Sequence, residues 1–177
     1  MKIINQTNQK MKERFKMGRV QPAAYKALDA LDNYVSNSGI DECQQELIRI
    51  RASQINGCAY CVNQHSKDAR KAGETEERIY LVSAWREAEN GFNEEERLLF
   101  AMTEEITLIH QHGLSEELYE KAIALFGEER TAKIIMTIIT INAWNRIGVG
   151  LKMQPEIVRT ERINLSQTEN NIQLLKQ

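Results

Sequence analysis

Two cysteines and a histidine lie close together in the sequence, in the order Cys58, Cys61 and His65. They follow the dipeptide Asn56-Gly57, which favours the end of one helix and predicts that a new helix begins near Cys58. Unpaired backbone N–H groups and the positive end of the helix dipole favour thiolate there, lowering a cysteine pKa from about 8.5 toward neutrality or below. Because a thiolate attacks a peroxide oxygen or a disulfide sulfur, the spacing indicates thiol redox chemistry.

Helical geometry places these three side chains on one face. At about 100° per residue, they project within roughly 60° of one another around the helix. Cys58 and Cys61 are close enough to form a disulfide, and His65 lies one turn beyond Cys61, where it can take the proton of that thiol or hydrogen-bond its thiolate. This favours Cys61 as the attacking thiol and Cys58 as the resolving thiol, whereas the helix dipole alone favours the earlier cysteine.

A carboxylate for this site is available on the preceding segment. Glu46 lies in the run 46–53, which contains enough apolar residues to pack inside the protein. If that helix packs beside the next one, Glu46 would orient His65 and accept or relay its proton. The candidate catalytic residues are therefore Cys61, Cys58, His65 and Glu46.

The elements that must position these residues are helices. The only two prolines are Pro22 and Pro155, and glycines followed by N-cap residues divide the chain between them. Strands with a period of two are absent from the pattern. Helices are predicted at roughly 22–37, 41–55, 58–72, 75–89, 93–111, 115–126 and 129–148. The sequence thus predicts an all-α bundle of about seven helices, with an N-terminal arm at 1–20, a helical domain at 21–153 and a polar tail at 154–177.

The most apolar stretch is Ile134 to Ile147, which is interrupted by Asn142, Asn145 and Arg146. It is shorter than the roughly 20 apolar residues that cross a bilayer, so we expect no membrane span. It predicts a buried core helix whose polar side chains hydrogen-bond to neighbouring helices or subunits. Trp144 within it is expected to be a core or subunit-interface anchor.

Composition narrows the function classes further. The net charge is −2 over 177 residues, which argues against a surface built to hold nucleic acid. The first residues, MKIINQTNQKMKERFK, contain no apolar run and no small-residue cleavage site, so the protein is expected in the cytoplasm. Three clustered cysteines in a reducing compartment favour catalysis or metal binding over a structural disulfide framework.

The run from Glu46 to His65 resembles the core of the alkyl hydroperoxidase D-like, carboxymuconolactone decarboxylase superfamily. The resemblance consists of a glutamate twelve residues before the first cysteine, followed by C-x-x-C-x-x-x-H. Further likeness lies in 63–73, in Trp85 followed by 92–97, and in 142–146. It therefore covers most of 20–150.

This resemblance implies an all-α bundle whose subunits assemble as trimers or hexamers. It implies a proton-relay thiol site of Glu46, Cys58, Cys61 and His65, in which Cys61 is the peroxidatic cysteine. The expected partners are a hydroperoxide substrate and a dithiol reductant on a lipoylated protein, with no bound cofactor. The founding peroxidases carry a histidine between the two cysteines, where this chain has Tyr60. The decarboxylase branch generally lacks the cysteine pair, so lactone decarboxylation is not implied.

Two alternatives to a thiol-dependent hydroperoxide reductase stay open at this level. One is a non-catalytic redox or stress-responsive oligomer whose disulfide state alters assembly or partner binding. The other is a structural zinc site with Cys58, Cys61 and His65 as ligands and Cys43 or Glu46 as the fourth. The sequence disfavours zinc because no second C-x-x-C or paired histidine follows. Cys43 alone is predicted to be an ordinary thiol.

Overall fold

The computed structural model describes residues 12–157, and every regular element in that part of the chain is helical. The helices are α1 (Met17–Val20), α2 (Pro22–Ser36), α3 (Glu42–Ile55), α4 (Ala59–Lys71), α5 (Glu76–Leu81), α6 (Glu94–Thr107), α7 (Ile109–His112) and α8 (Glu116–Leu151), with a 3-10 turn at Val82–Ala84 after α5. The predicted all-α fold is confirmed.

The central helix is α3, which packs against α4, α6 and α8. Apolar side chains from its two sides enter two separate clusters. Ile48 packs with residues of α6 and α8, among them Met102 and Ile138. Leu47 and Ile50 pack with Ala69 of α4 and with a group that follows it in the chain, Ile79, Val82, Trp85, Phe92 and Phe100. Because α3 is buried on both sides, any polar residue it carries needs a partner inside the protein.

Helix α8 supplies the longest apolar surface of the bundle. Gly127 interrupts it with φ 71° and ψ 170°, so the chain forms two helical stretches, as the predicted helices at 115–126 and 129–148 require. By length and composition α8 could cross a membrane, but 50% of its most apolar window is buried inside the protein. This burial is what a core helix shows. Asn142 and Asn145 donate hydrogen bonds to Thr107 and Ser53 on neighbouring helices, as predicted.

Two predicted helices are shorter than expected. The predicted helix at 75–89 ends at Leu81, and beyond it the Arg97 guanidinium donates to the carbonyls of Trp85, Arg86 and Ala88. The predicted helix at 93–111 bends at Leu108, where ψ is 36°. The hydrophobic periodicity of the sequence does not contain such side-chain hydrogen bonds to the backbone.

The segment before α2 packs on the helical domain. The Arg14 backbone N–H donates to the Leu151 carbonyl at 3.0 Å, and its guanidinium donates to the Gly150 carbonyl at 3.0 Å. Arg14 of the predicted N-terminal arm therefore lies against the end of α8. Residues 1–11 and 158–177, which include most of the predicted tail, lie outside the described part of the chain, and the division into arm, domain and tail stays a prediction.

Candidate thiol site

The cysteine pair is built by a tight turn between α3 and α4. Gly57 adopts φ +67°, a backbone conformation that glycine tolerates, and Cys58 follows as the N-cap of α4. The Cys58 backbone N–H donates to the Ser53 carbonyl at 3.0 Å, and the Cys58 Sγ accepts from the Cys61 backbone N–H at 3.3 Å. The two cysteines are disulfide-bonded, with their Cα atoms 5.3 Å apart. Both therefore lie at the positive end of the α4 dipole, as predicted.

Glu46 and His65 are in direct contact. Glu46 Oε2 lies 2.8 Å from His65 Nδ1, which joins α3 to α4 one turn beyond Cys61. The Glu46 carboxylate is 4% exposed, so it is shielded from water. When His65 is neutral, a proton on Nδ1 that is donated to Glu46 leaves Nε2 free to accept the proton of a thiol. The contact that spacing alone could only suggest is present.

A third residue completes this group of charges. Arg49 is buried and donates to Glu46 Oε1, the oxygen that His65 does not use. The same guanidinium donates to Ser36 Oγ at 3.1 Å and reaches Asp32 Oδ1 at 3.4 Å, both on α2. A buried carboxylate without a cation would be costly in its ionised form, so Arg49 both orients Glu46 and balances its charge.

The thiol site opens on a cavity of about 880 Å³. Its wall includes Tyr60, Cys61 and His65 of α4, but not Cys58. An aromatic pair also lines the cavity, with Tyr25 and Trp144 in an edge-to-face contact at 5.1 Å between ring centroids. Cys61, although only 4% exposed, is thus the cysteine that faces the space where a substrate would enter.

A short segment near the N-terminus forms part of the wall of this cavity. The N-terminal strap, which we define as residues 13–19, contributes Glu13, Lys16, Met17, Gly18 and Arg19 to the wall, and the backbone and side chain of Arg14 tie it to the end of α8. From the other terminus, the Glu156 carbonyl lies 3.5 Å from Lys67 Nζ. Access to Cys61 is therefore shaped by residues far from it in the sequence.

Comparison with known proteins places this arrangement in a family. The sequence model of the Carboxymuconolactone decarboxylase family matches residues 22–104. The uncharacterized protein YdfG of Bacillus subtilis is 38% identical over 141 residues, which cover 80% of this chain and 95% of that protein. A solved structure from Agrobacterium tumefaciens, described as a protein of unknown function with a suggested AhpD antioxidant defence role, is 40% identical with a TM-score of 0.80, covering 83% of this chain and 100% of that one. The chain belongs to the AhpD-like, carboxymuconolactone decarboxylase superfamily.

The named peroxidases of this superfamily match a shorter stretch. The alkyl hydroperoxide reductase AhpD of Mycobacteroides abscessus is 45% identical over 47 residues, which are 27% of this chain and 27% of that protein. Family membership and fold therefore rest on the long matches. The catalytic assignment rests on the geometry of this AhpD-like site.

Several features of this AhpD-like site were not found from sequence. Arg49 stands one helical turn after Glu46, and this spacing was a usable signal for a charge pair. Tyr25, which lines the cavity, and Gly148, which lies against the two cysteine sulfurs, had no such signal because both are distant from the cysteines in the sequence. Trp144, predicted as a core or subunit-interface anchor, is partly buried and lines the same cavity as Cys61.

Cys43 is not part of the site. Its Sγ lies 3.4 Å from the Ala72 carbonyl, at the opposite end of α4 from Cys58 and Cys61. A helix of 13 residues is about 20 Å long at 1.5 Å per residue, so Cys43 cannot complete a zinc site with the pair.

One other group in the described part of the chain has metal-ligand chemistry. Ligand atoms of Glu46, His65 and Asp68 lie within 4.8 Å of one another. Glu46 is already bonded to Arg49, and Asp68 accepts from Lys71 at 2.6 Å and from Gln64 at 2.7 Å. These protein donors already hydrogen-bond to the carboxylate oxygens that a metal ion would use.

Proposed function

We propose that this chain is a thiol-dependent hydroperoxide reductase that cycles Cys58 and Cys61 between dithiol and disulfide. The observation that carries the proposal is that Cys61, disulfide-bonded to Cys58, shares one cavity with a histidine held by a buried glutamate. A nucleophile next to a base that is itself oriented by a carboxylate is an arrangement that activates a weak nucleophile.

In the first step, His65 takes the Cys61 proton and the thiolate attacks the terminal oxygen of the hydroperoxide. The O–O bond breaks, the leaving alkoxide takes a proton from the imidazolium, and Cys61 becomes a sulfenic acid. Glu46 stabilises the imidazolium between these two transfers. The hydroperoxide is thereby reduced to an alcohol.

In the second step, the Cys58 thiolate attacks the Cys61 sulfenic sulfur. The S–O bond breaks, hydroxide leaves as water after protonation, and the disulfide forms. The position of Cys58 suits this role, because its sulfur accepts the Cys61 N–H at the start of α4 and does not line the cavity. Two electrons from an external dithiol then restore both thiols.

The cavity supports an organic hydroperoxide as the substrate. Its volume is that of a site for a drug-sized molecule, and Tyr25, Trp144, Ile147 and Met153 give it apolar wall. A lipoylated protein is the proposed reductant, since a dithiol on a slender arm could reach a sulfur as enclosed as Cys61. We also propose a cytoplasmic homo-oligomer, as the family resemblance implies.

The proposal is tested by steady-state consumption of organic hydroperoxides with dihydrolipoamide or reduced thioredoxin as recycling dithiol. We expect turnover in the parent chain and a loss of at least about 100-fold in Cys61→Ser and in Cys58→Ser. Cys43→Ser is the matched control and should keep full activity. Activity that survives Cys61→Ser would overturn the assignment of the attacking thiol.

The same experiment distinguishes a hydroperoxide reductase from the alternative, a non-catalytic redox protein. In that case peroxide would convert the pair to the disulfide once, as alkylation and mass spectrometry would show, while no dithiol sustains turnover. Tyr60, standing where the founding peroxidases have a histidine, is the feature that favours this outcome.

A further inference from the structure

Gly148 of α8 lies directly behind the cysteine pair. A Cβ atom at this position would stand 2.7 Å from Cys58 Sγ and 3.3 Å from Cys61 Sγ. Two non-bonded carbon atoms pack most favourably at about 3.5–4.0 Å, and sulfur is larger than carbon. A methyl group therefore does not fit behind the disulfide. Gly148 does not adopt a positive φ, so its backbone conformation does not itself require glycine. Glycine is required here for space alone.

The helix that carries Gly148 is fixed close to the cysteines. Three residues earlier, Asn145 is 1% exposed and donates to Ser53 Oγ at 2.9 Å. Its Oδ1 accepts from Asn56 Nδ2 at 2.9 Å, in the turn that leads into Cys58. These hydrogen bonds tie α8 to the end of α3 and to the first residue of the turn. Retreat of α8 would break them, so added bulk at position 148 must displace the sulfurs instead.

We propose that Gly148 is a positioning residue that sets the equilibrium between the disulfide and the dithiol. The inference rests on the proposed function only in requiring that the pair cycles between these forms. In the disulfide each sulfur is held by the other and cannot move independently. When two electrons and two protons break the S–S bond, each thiol can rotate about its own Cα–Cβ bond. Bulk at position 148 therefore penalises the disulfide more than the dithiol, and its absence favours the oxidised form.

The chain provides a matched control two residues away. Gly150 lies in the same helix, also without a positive φ, and a Cβ there would meet nothing within 4 Å. Alanine favours the helical state over glycine at both positions to a similar degree. A comparison of Gly148→Ala with Gly150→Ala therefore isolates the contact with the sulfurs.

The test equilibrates the full-length parent chain, Gly148→Ala and Gly150→Ala in buffers of graded reduced to oxidised glutathione. Acid quenching, alkylation and mass spectrometry then give the disulfide fraction of the Cys58–Cys61 pair. We expect the equilibrium constant for oxidation of the pair to fall about tenfold in Gly148→Ala, which corresponds to a reduction potential about 30 mV higher. In Gly150→Ala the same constant should stay within about twofold of the parent value. Equal constants in the two variants would overturn the role of Gly148.

Two further results separate the inference from its alternatives. If Gly148→Ala does not fold, the same substitution is made in a Cys58→Ala chain, which lacks the sulfur nearest the new methyl group. Recovery of the parent-like melting temperature there supports the contact, and continued misfolding overturns it. A parent chain whose disulfide is neither reduced nor reformed in any buffer would instead overturn the proposed function.

Discussion

The two ends of α4 each meet a cysteine, and the two environments are opposite. At the N-terminal end, Cys58 caps the helix and its sulfur accepts the Cys61 N–H at 3.3 Å. At the C-terminal end, the Cys43 sulfur of α3 lies 3.4 Å from the Ala72 carbonyl. The helix dipole favours negative charge at the first position and opposes it at the second.

Neighbouring charges add to this difference. Burial raises the pKa of Cys43, and the negative charges of Asp41, Glu74 and Glu42 raise it further. The first turn of α4 carries no acidic residue. From this comparison we expect the chemistry of a thiol in this chain to depend on which helix end and which charges it meets, since the residue type is the same.

The largest expected effect is the difference in reactivity between the two ends. In the fully reduced chain at pH 7, we expect the faster of Cys58 and Cys61 to react with iodoacetamide about 100-fold faster than Cys43. The reason is the larger thiolate fraction at a helix N-terminus. Peptide mass spectrometry after timed quenching measures all three rates in one sample. A Cys43 rate equal to the others would contradict the comparison.

The next largest effect concerns Glu46 and Arg49, the charged residues that lie near the N-terminal end of α4. Glu46→Gln should slow oxidation of Cys61 by a stoichiometric organic hydroperoxide by about 30-fold, because a neutral amide no longer stabilises the His65 imidazolium. Arg49→Met should slow it less, by about tenfold, and Arg49→Lys should recover part of that loss since it restores the positive charge. Stopped-flow tryptophan fluorescence or rapid-quench alkylation follows the step.

The control for these variants is Glu42→Gln, an exposed carboxylate on the same helix as Glu46. It should leave Cys61 oxidation unchanged. If Arg49→Lys is as slow as Arg49→Met, charge compensation is not what Arg49 contributes.

Most of the local features at the N-terminal end of α4 could be predicted from the sequence. Asn56-Gly57 marks the start of α4, and helical spacing places Cys58, Cys61 and His65 on one face. Glycine and N-cap residues located α2, α3 and α4 to within one or two residues. These features are local, and short-range backbone chemistry decides them.

The remaining part depends on packing between distant segments. Gly148 stands about 90 residues after the cysteines, and only the docking of α8 on the α3–α4 turn brings it to the sulfurs. The position of Cys43 at the far end of α4 likewise follows from how α3 and α4 pack side by side. Sequence spacing has no information on such contacts, which is why Cys43 remained a candidate zinc ligand until the structure placed it.

A smaller effect is expected from the N-terminal strap, which lines the cavity that Cys61 faces. Arg14→Ala removes the guanidinium that donates to the Gly150 carbonyl, although the backbone hydrogen bond to Leu151 remains. We expect Cys61 in the reduced chain to be alkylated about threefold faster because the strap opens more often. Lys12→Ala, an exposed position next to the strap, is the control. An unchanged rate in Arg14→Ala would show that the strap does not limit access.

The smallest effect tests the C-terminal end alone. Because the pKa of Cys43 is raised, its thiolate forms only at alkaline pH, so its alkylation rate should climb steadily from pH 7 through pH 9. Glu42→Gln removes one of the negative charges that raise this pKa and should speed Cys43 alkylation at pH 8.5 by about twofold. The gain is small because Glu42 is exposed and its charge is screened by water.

Glu87→Gln, an exposed carboxylate outside the group that raises the Cys43 pKa, should leave that rate unchanged. The same Glu42→Gln chain should show no change in the oxidation rate of Cys61. One substitution would then change thiol reactivity at one end of α4 and not at the other. A shift at both ends would mean that the long-range field of the protein sets both thiols. The local helix terminus would then not be the cause of their difference.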